Sequence, residues 1–271
     1  MSATATTAER ADAARARKAL IRPIRDGLLV AGRNLIAYRR VPQLLVFSTI
    51  QPVIFVLLFR YVFGGAVRVP GVRYVDFLMP GIFVQTTVFG AIGTAVGLAT
   101  DLKSGLLERF RSLPMARSAV LSGRTVADLA RNIFVAALMA AVGFAVGFRV
   151  HTNVMAFLFG MVLVLLFGYA MSWIFATVGL AVGDPETAQA AAFPVMAPLV
   201  FASSAFVPVD TMPHWLRVFA SHQPVSVTAS AVRALVLGGP TTSYVLQSIV
   251  WSAGILVVFA PIAVRRYRKT V

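Results

Sequence analysis

The 271-residue chain contains no cysteine, and only 13% of its residues are charged. The missing cysteine excludes disulfides and thiolate metal sites, and it removes redox chemistry as a guide to compartment. The scarcity of charge excludes an ordinary soluble domain, which carries about 25% charged residues. Acidic side chains are scarcer still, 10 against 25 Lys and Arg. A GxxxxGK[ST] motif is missing too. The nearest fragment, Gly123-Arg124-Thr125, has Ser118 in place of the first glycine and Arg in place of Lys, so the chain is expected not to bind ATP through a P-loop. The three histidines, His151, His214 and His222, lack metal-ligand spacing. His214 and His222 beside Asp210 are read as interfacial rather than ligating. No Ser-His-Asp arrangement with a nucleophile elbow is present, so no catalytic machinery and no metal is expected on this chain. Residues 1–20 are rich in Ala and Arg without an apolar core, and do not read as a signal peptide.

What is abundant is apolar surface, 58% of residues. Six runs are long enough to cross a hydrocarbon core that needs about 20 apolar residues: 44–63, 77–99, 126–148, 154–182, 188–207 and 244–264. In lipid each segment must satisfy its own backbone, so the runs are expected to be helices, and their lack of alternation excludes barrel strands. Nineteen of the 25 cations fall on one side of this topology and six on the other, Arg60, Arg68, Arg73, Arg149, Arg217 and Arg233. The positive-inside rule then places both termini in the cytoplasm of a multi-pass plasma- or inner-membrane protein. It also makes the net charge of +15 a topology determinant rather than a nucleic-acid footprint. The expected organisation is a flexible basic tail over 1–21, an amphipathic interface helix over 22–43, a transmembrane domain over 44–264 and a basic tail over 265–271.

Before the first run, Ile24, Leu28, Ala31, Leu35 and Tyr38 recur at spacings of four and three, one apolar helical stripe flanked by arginines. Such a helix lies in the membrane interface, as an anchor or also as a contact for a cytoplasmic partner. Gly93 and Gly97, Gly143 and Gly147, and Gly179 and Gly183 are small-residue pairs that suit close helix packing. Pro52, Pro80, Pro194 and Pro198 fall in or near spans, where each removes a backbone donor. The midplanes of the spans read as uncharged. Asp128 alone among the acids approaches a span, placed to pair with Arg124 or Arg131. Ion-coupled transport needs intramembrane ionisable groups, so a secondary multidrug transporter is the weaker alternative. A lipid-modifying membrane protein would need an interfacial cluster of which Asp210, His214 and His222 are the only trace.

Two connections stand out. Residues 208–243 are too long for a turn and too apolar to be solvated. Pro213 opens a short helix carrying Trp215 and Phe219, and Pro224 opens another that Gly238 and Gly239 stop, two short helices at or in the outer leaflet. Trp215 and Phe219 are expected to line or gate an exit path, or else to anchor in the interface. The cytoplasmic segment 101–114 places Leu102, Leu106, Leu107 and Phe110 on one stripe, with Glu108, Arg109 and Arg111 elsewhere and Pro114 closing it. It suits docking into a groove on another protein, or lying on the membrane surface.

The run D-x3-G-x2-E-R-F-R-x-L-P formed by Asp101, Gly105, Glu108, Arg109, Phe110, Arg111, Leu113 and Pro114 resembles the coupling-helix region of ABC-2 type permeases. More closely, it resembles that of the daunorubicin-resistance type of drug-export permease. Phe63-Gly64-Gly65-Ala66, Leu78-Met79-Pro80-Gly81-Ile82, Ser172-Trp173-Ile174, Thr211-Met212-Pro213 with Trp215-Leu216, and Gln223-Pro224-Val225-Ser226 extend the likeness in matching order over roughly 30–265. The resemblance implies an all-α membrane fold of six spans and a dimer of two permease chains. It implies a separate ABC ATPase, carrying the ATP and Mg, docked at the coupling helix. Outward transport of a hydrophobic compound through gate helices at 211–238 follows from it as well.

Overall fold

The computed structural model describes Gly32 and residues 42–67, 69–105 and 117–270. The expected interface helix, with Leu28, Leu35 and Tyr38, lies outside the described residues, as do Leu106, Leu107, Glu108, Arg109, Phe110, Arg111 and Pro114 of the expected coupling helix. Among the described residues there is no strand. The helices are α1 (Pro42–Leu57, running on into a π-helical turn over Leu58–Val62), α2 (Tyr74–Lys103), α3 (Arg117–Ala145), α4 (Val154–Val182), α5 (Pro185–Phe201), α6 (His214–His222), α7 (Pro224–Leu237) and α8 (Thr241–Thr270). Among the described residues four stretches are long and apolar enough to cross a membrane: Tyr74–Lys103, Gly123–Ala145, Val154–Val182 and Thr241–Lys269. The protein is a multi-pass helical membrane protein.

Local chemistry sets the helix ends. The Asn153 side chain accepts from the Ala156 amide at 2.7 Å and starts α4. Gly183, at φ +75°, stops it. One residue on, Asp184 caps α5 through the Thr187 amide at 3.1 Å, with Pro185 in the first turn, where its missing N–H costs nothing. Gln223 caps α7 through the Val225 amide at 2.9 Å, again ahead of a proline, and Gly238 ends that helix at φ +91°.

α2 is the axis of the bundle. Every residue from Tyr74 to Val88 is buried, so the helix is enclosed all round rather than along one stripe. It packs most extensively on α4, then on α5, α3 and α7. Phe83, Phe148, Phe167 and Phe175, all fully buried, fill the centre. α8 lies against α4 and α7. Its outer face, with Leu246, Val250, Val257 and Val258 exposed, has the composition of a lipid-facing surface.

The glycine pairs do not share one role. At Gly179 the helices do approach closely: a methyl there would lie 2.3 Å from the Ala95 carbonyl oxygen. Gly81 is tighter, with the Ala205 carbonyl oxygen 1.9 Å from where its Cβ would be. Gly147 and Gly183 instead have positive φ, +99° and +75°, and end helices. Gly93 and Gly97 face neither backbone nor lipid. A Cβ at Gly97 would meet the Arg124 guanidinium at 1.4 Å, and one at Gly93 the Arg131 guanidinium at 2.7 Å. They are notches for arginine side chains, not for a helix. Because main chain cannot yield as a side chain does, Gly81→Ala and Gly179→Ala should each destabilise the bundle by about 1–3 kcal/mol. Thermal unfolding in detergent measures this; unchanged melting would show that the close contacts relax freely.

Candidate functional site

The six-residue outer tally of cations hides one that is not at the surface. Arg233, on α7, is 8% exposed. Its Nε donates to the Phe77 carbonyl at 2.8 Å and its Nη1 to the Ser204 hydroxyl at 3.0 Å. Nη2 donates to the Ser204 carbonyl and, at 3.1 Å, to the Ala205 carbonyl. The guanidinium lies 3.7 Å over the Phe77 ring. Those carbonyls exist because helix α5 stops at Phe201, after Pro194 and Pro198, leaving residues 202–206 irregular within the bundle. Backbone of that kind is tolerated at membrane depth only where protein satisfies it. Arg233 supplies much of that satisfaction, and Ser226, Gln223 and Tyr74 supply more. The Ser204 amide donates to the Ser226 hydroxyl at 2.9 Å, the Gln223 amide group reaches the Leu199 carbonyl at 3.0 Å, and the Tyr74 hydroxyl donates to the Phe206 carbonyl at 3.0 Å.

α7 is thus not a helix lying on a leaflet. Eleven of its 14 residues are buried, it is about 21 Å long at 1.5 Å per residue, too short to span, and its far end is pinned as well. The His151 amide donates to the Val236 carbonyl at 2.9 Å and the Thr152 hydroxyl to the Leu235 carbonyl at 2.6 Å. It is a re-entrant element held inside the protein. Helix α6 differs: Trp215 is 73% and Phe219 46% exposed. Of the expected gate residues, Pro213 and Pro224 stand at the starts of α6 and α7 and Pro224 is buried, while Trp215 and Phe219 face outward and do not meet the Arg233 knot. Sequence reading missed Arg233 as a buried group. The signal available was an arginine in the middle of a run of small apolar residues, Ala231-Val232-Arg233-Ala234-Leu235.

At the same end of the bundle Asp76 is fully buried. It accepts from Arg73 Nε at 2.8 Å and from the Arg149 amide at 2.9 Å, with His151 Nε2 at 3.8 Å. That joins the start of α2 to the α3–α4 connection.

The opposite end carries a second polar seam, between α2 and α3. Arg124 pairs with Asp101 at 2.9 Å, the Thr94 hydroxyl donates to the buried Asp128 carboxylate at 2.6 Å, and Arg131 donates to the Gly90 carbonyl. Buried charges therefore occur at Asp76, Asp128, Arg131 and Arg233, each at most 9% exposed, all of them away from the middles of the expected spans. The expected 101–114 helix needs correcting at its start. Asp101 belongs to the last turn of α2 and is tied to Arg124, and Gly105, at φ +66°, follows the end of that helix. Neither residue is part of a separate docking helix. Lys103 reaches the α4–α5 connection, pairing with Asp184 at 2.7 Å. That bond, with the Thr187 amide and hydroxyl, lowers the Asp184 carboxyl to about 2. The pair is therefore complete at neutral pH and is lost as pH falls through that value, or as pH rises far enough to deprotonate Lys103, whose own pKa the Asp184 bond raises. Among the described residues no three His, Asp or Glu side chains are grouped to hold a metal.

Between α1 and the end of α5 lies an aromatic cluster. Phe59 stacks on Phe206 at 4.4 Å, Phe55 is 5.9 Å from Phe59, and Phe201 is 6.2 Å from Phe206. The neighbouring outer face is apolar, with Ile54, Tyr61, Val62 and Phe193 more than half exposed.

The described residues thus form a multi-pass helical bundle whose fifth helix is interrupted and whose short seventh helix is buried before the last span. Residues 27–237 match the family model described as ABC-2 type transporter, and the chain belongs to that family. It is 34% identical over 237 residues to the daunorubicin resistance ABC transporter permease protein DrrB1 of Streptomyces coeruleorubidus, covering 88% of this chain and 84% of that one. It is 29% identical to the probable doxorubicin resistance ABC transporter permease protein DrrC of Mycobacterium tuberculosis, over 89% and 88% of the two chains. A more distant relative is the putative transport permease ycf38 of Cyanophora paradoxa, at 24% identity over 78% of this chain and 74% of the other. The protein is a DrrB-like ABC-2 permease.

Proposed function

We propose that the chain is the transmembrane subunit of an ABC exporter, moving a hydrophobic or amphipathic compound outward with ATP hydrolysed on a separate ATPase subunit. The observation that carries this reading is the likeness to drug-resistance permeases over most of both chains. Daunorubicin and doxorubicin in those relatives' names indicate the substrate class, a flat apolar body with a polar edge. The Phe55, Phe59, Phe201 and Phe206 cluster offers the stacking surface such a body needs. In this reading the protein has six spans. α1 and α5, at 16 and 17 residues, supply the two shorter spans, and both termini are cytoplasmic. The apolar face of α1 and α5 receives a second permease chain, identical or not. ATP and Mg stay on the ATPase, which docks at residues 106–114, and membrane lipid covers α8.

The test is co-purification. A P-loop ATPase encoded beside the chain should co-purify with it and hydrolyse ATP faster in its presence, whereas the chain alone should hydrolyse none. Hydrolysis by the stringently purified chain, or failure to retain any such ATPase, counts against the reading. Orientation is separately accessible because the natural sequence has no cysteine. Single cysteines at Ser104 and Thr211 should label from opposite sides of the membrane, Ser104 from the cytoplasm. Labelling of both from one side would contradict the topology.

Trp215 and Phe219 keep their assignment as part of an exit gate. Both are exposed on α6 and make little of the core, so replacing both with Ala should leave expression and melting unchanged while reducing export. Unchanged export at normal expression would make them interfacial anchors only.

A further inference from the structure

Arg233 does more than hold backbone: it also forms a wall of a cavity of about 280 Å³, with Phe77, Ser204, Ser230, Asp210 and Tyr244 among the other lining residues. A guanidinium has five N–H donors, and four are engaged by Phe77, Ser204 and Ala205, leaving one on Nη1. All of those partners are neutral, and Arg233 forms no ion pair among the described residues. A permanent cation buried in a low-dielectric setting without a counter-charge is costly, and an anion delivered to the cavity offsets that cost. The depth is also informative. Arg233 is bonded to the carbonyl of Phe77 in the first turn of α2, and beside the cavity α6 exposes Trp215, a side chain that favours the headgroup level. The other charge on the wall is Asp210, which is exposed at the rim.

The buried wall thus carries the cation and the exposed rim the anion. That order is complementary to a headgroup whose phosphate is close to the acyl chains and whose ammonium is distal, facing water. We infer that this cavity binds the headgroup of a zwitterionic phospholipid with a primary ammonium, phosphate toward Arg233 and ammonium toward Asp210. Ser230 and Tyr244, which line the same cavity, supply hydroxyls for the remaining phosphate oxygens. The lipid is a structural ligand of the re-entrant unit, whatever compound the protein exports.

The experiment uses the full chain in an uncharged maltoside detergent. It measures binding of short-chain phosphatidylethanolamine, phosphatidylglycerol, diacylglycerol and chain-free phosphoethanolamine by native mass spectrometry. Phosphatidylethanolamine should bind about tenfold tighter than diacylglycerol, the increment of a charge-assisted hydrogen bond, and tighter than phosphatidylglycerol. Ser230→Phe fills the cavity and should abolish the preference. Asp210→Asn, at the exposed rim, should reduce phosphatidylethanolamine to the level of phosphatidylglycerol. Binding no better than diacylglycerol, or a preference untouched by both variants, overturns the site. Equal binding of chain-free phosphoethanolamine would replace the lipid by a soluble ligand and overturn the lipid assignment. A preference for phosphatidylglycerol would overturn the zwitterion.

Discussion

Arg233→Met should unfold the end of the bundle that holds the re-entrant helix. The methionine fills much of the volume but donates nothing. The carbonyls of Phe77, Ser204 and Ala205 then lose the side-chain donor they share. Each buried unsatisfied group costs about 1–3 kcal/mol, so the loss should exceed about 3 kcal/mol. It should appear as a sharp fall in melting temperature and in the yield of monodisperse protein. Arg233→Lys is the informative companion. It keeps the charge, but a compact ammonium cannot reproduce a planar fork that reaches three carbonyls and stacks on Phe77. It should fall between the wild type and methionine, closer to methionine. If methionine melts like the wild type, the irregular 202–206 segment is held by α7 contacts alone, and Arg233 would be only a surface arginine turned inward.

The second large effect is expected at the cytoplasmic connection. Under the proposed function, a chain without a P-loop receives the work of transport through a contact with the subunit that hydrolyses ATP. Among the cytoplasmic connections, residues 106–114 combine an apolar stripe with oriented charge, whereas the α4–α5 connection is a cap of two residues, Gly183 and Asp184. Leu106, Leu107 and Phe110 are the candidate buried anchors, with Glu108 and Arg109 at the rim. Anchors of this kind cost about 2 kcal/mol or more when truncated, so Leu107→Ala with Phe110→Ala should weaken ATPase docking at least tenfold. A helix that merely rests on lipid predicts intact association in the same pull-down. The Lys103–Asp184 bond joins the two connections at this end. The Asp101–Arg124 pair ties the same end of α2 to α3.

Much of this architecture can be read from apolar run length. The run over 154–182 matches α4 residue for residue, because an uninterrupted apolar helix bounded by Asn153 and Gly183 leaves little choice of ends. The last span was harder to bound. α8 continues to Thr270, six residues past the expected end, since Arg265, Arg266, Arg268 and Lys269 are good helix formers that can leave the lipid while staying helical. The re-entrant helix was visible as a helix and not as a buried one. Pro224 and Gly238 mark its ends, but 14 small, mostly neutral residues suit a leaflet surface and a protein interior equally. Only tertiary contacts distinguish the two. Counting Arg233 among the outer cations treated every arginine as solvated, and charge tallies carry no information on burial. The Gly93 and Gly97 pair shows the same limit. Its spacing announces close approach, but what approaches is decided on α3, where Arg124 and Arg131 stand two turns apart and fit the notches of α2. The docking segment is legible only as an amphipathic pattern and a family likeness, because a docking surface is completed by its partner.

The central claim, a permease driven by another chain's ATP hydrolysis, is tested most directly in sealed vesicles. The chain is reconstituted with the neighbouring P-loop ATPase, the ATPase face outward, and uptake of daunorubicin into the lumen is followed by fluorescence quenching. The account predicts uptake that requires ATP and both proteins. Uptake should be lost when the ATPase P-loop lysine is replaced, and reduced severalfold or more by the Leu107→Ala, Phe110→Ala variant. Uptake of this or any other apolar compound by the chain alone, driven by an imposed proton or sodium gradient and indifferent to ATP, would contradict it.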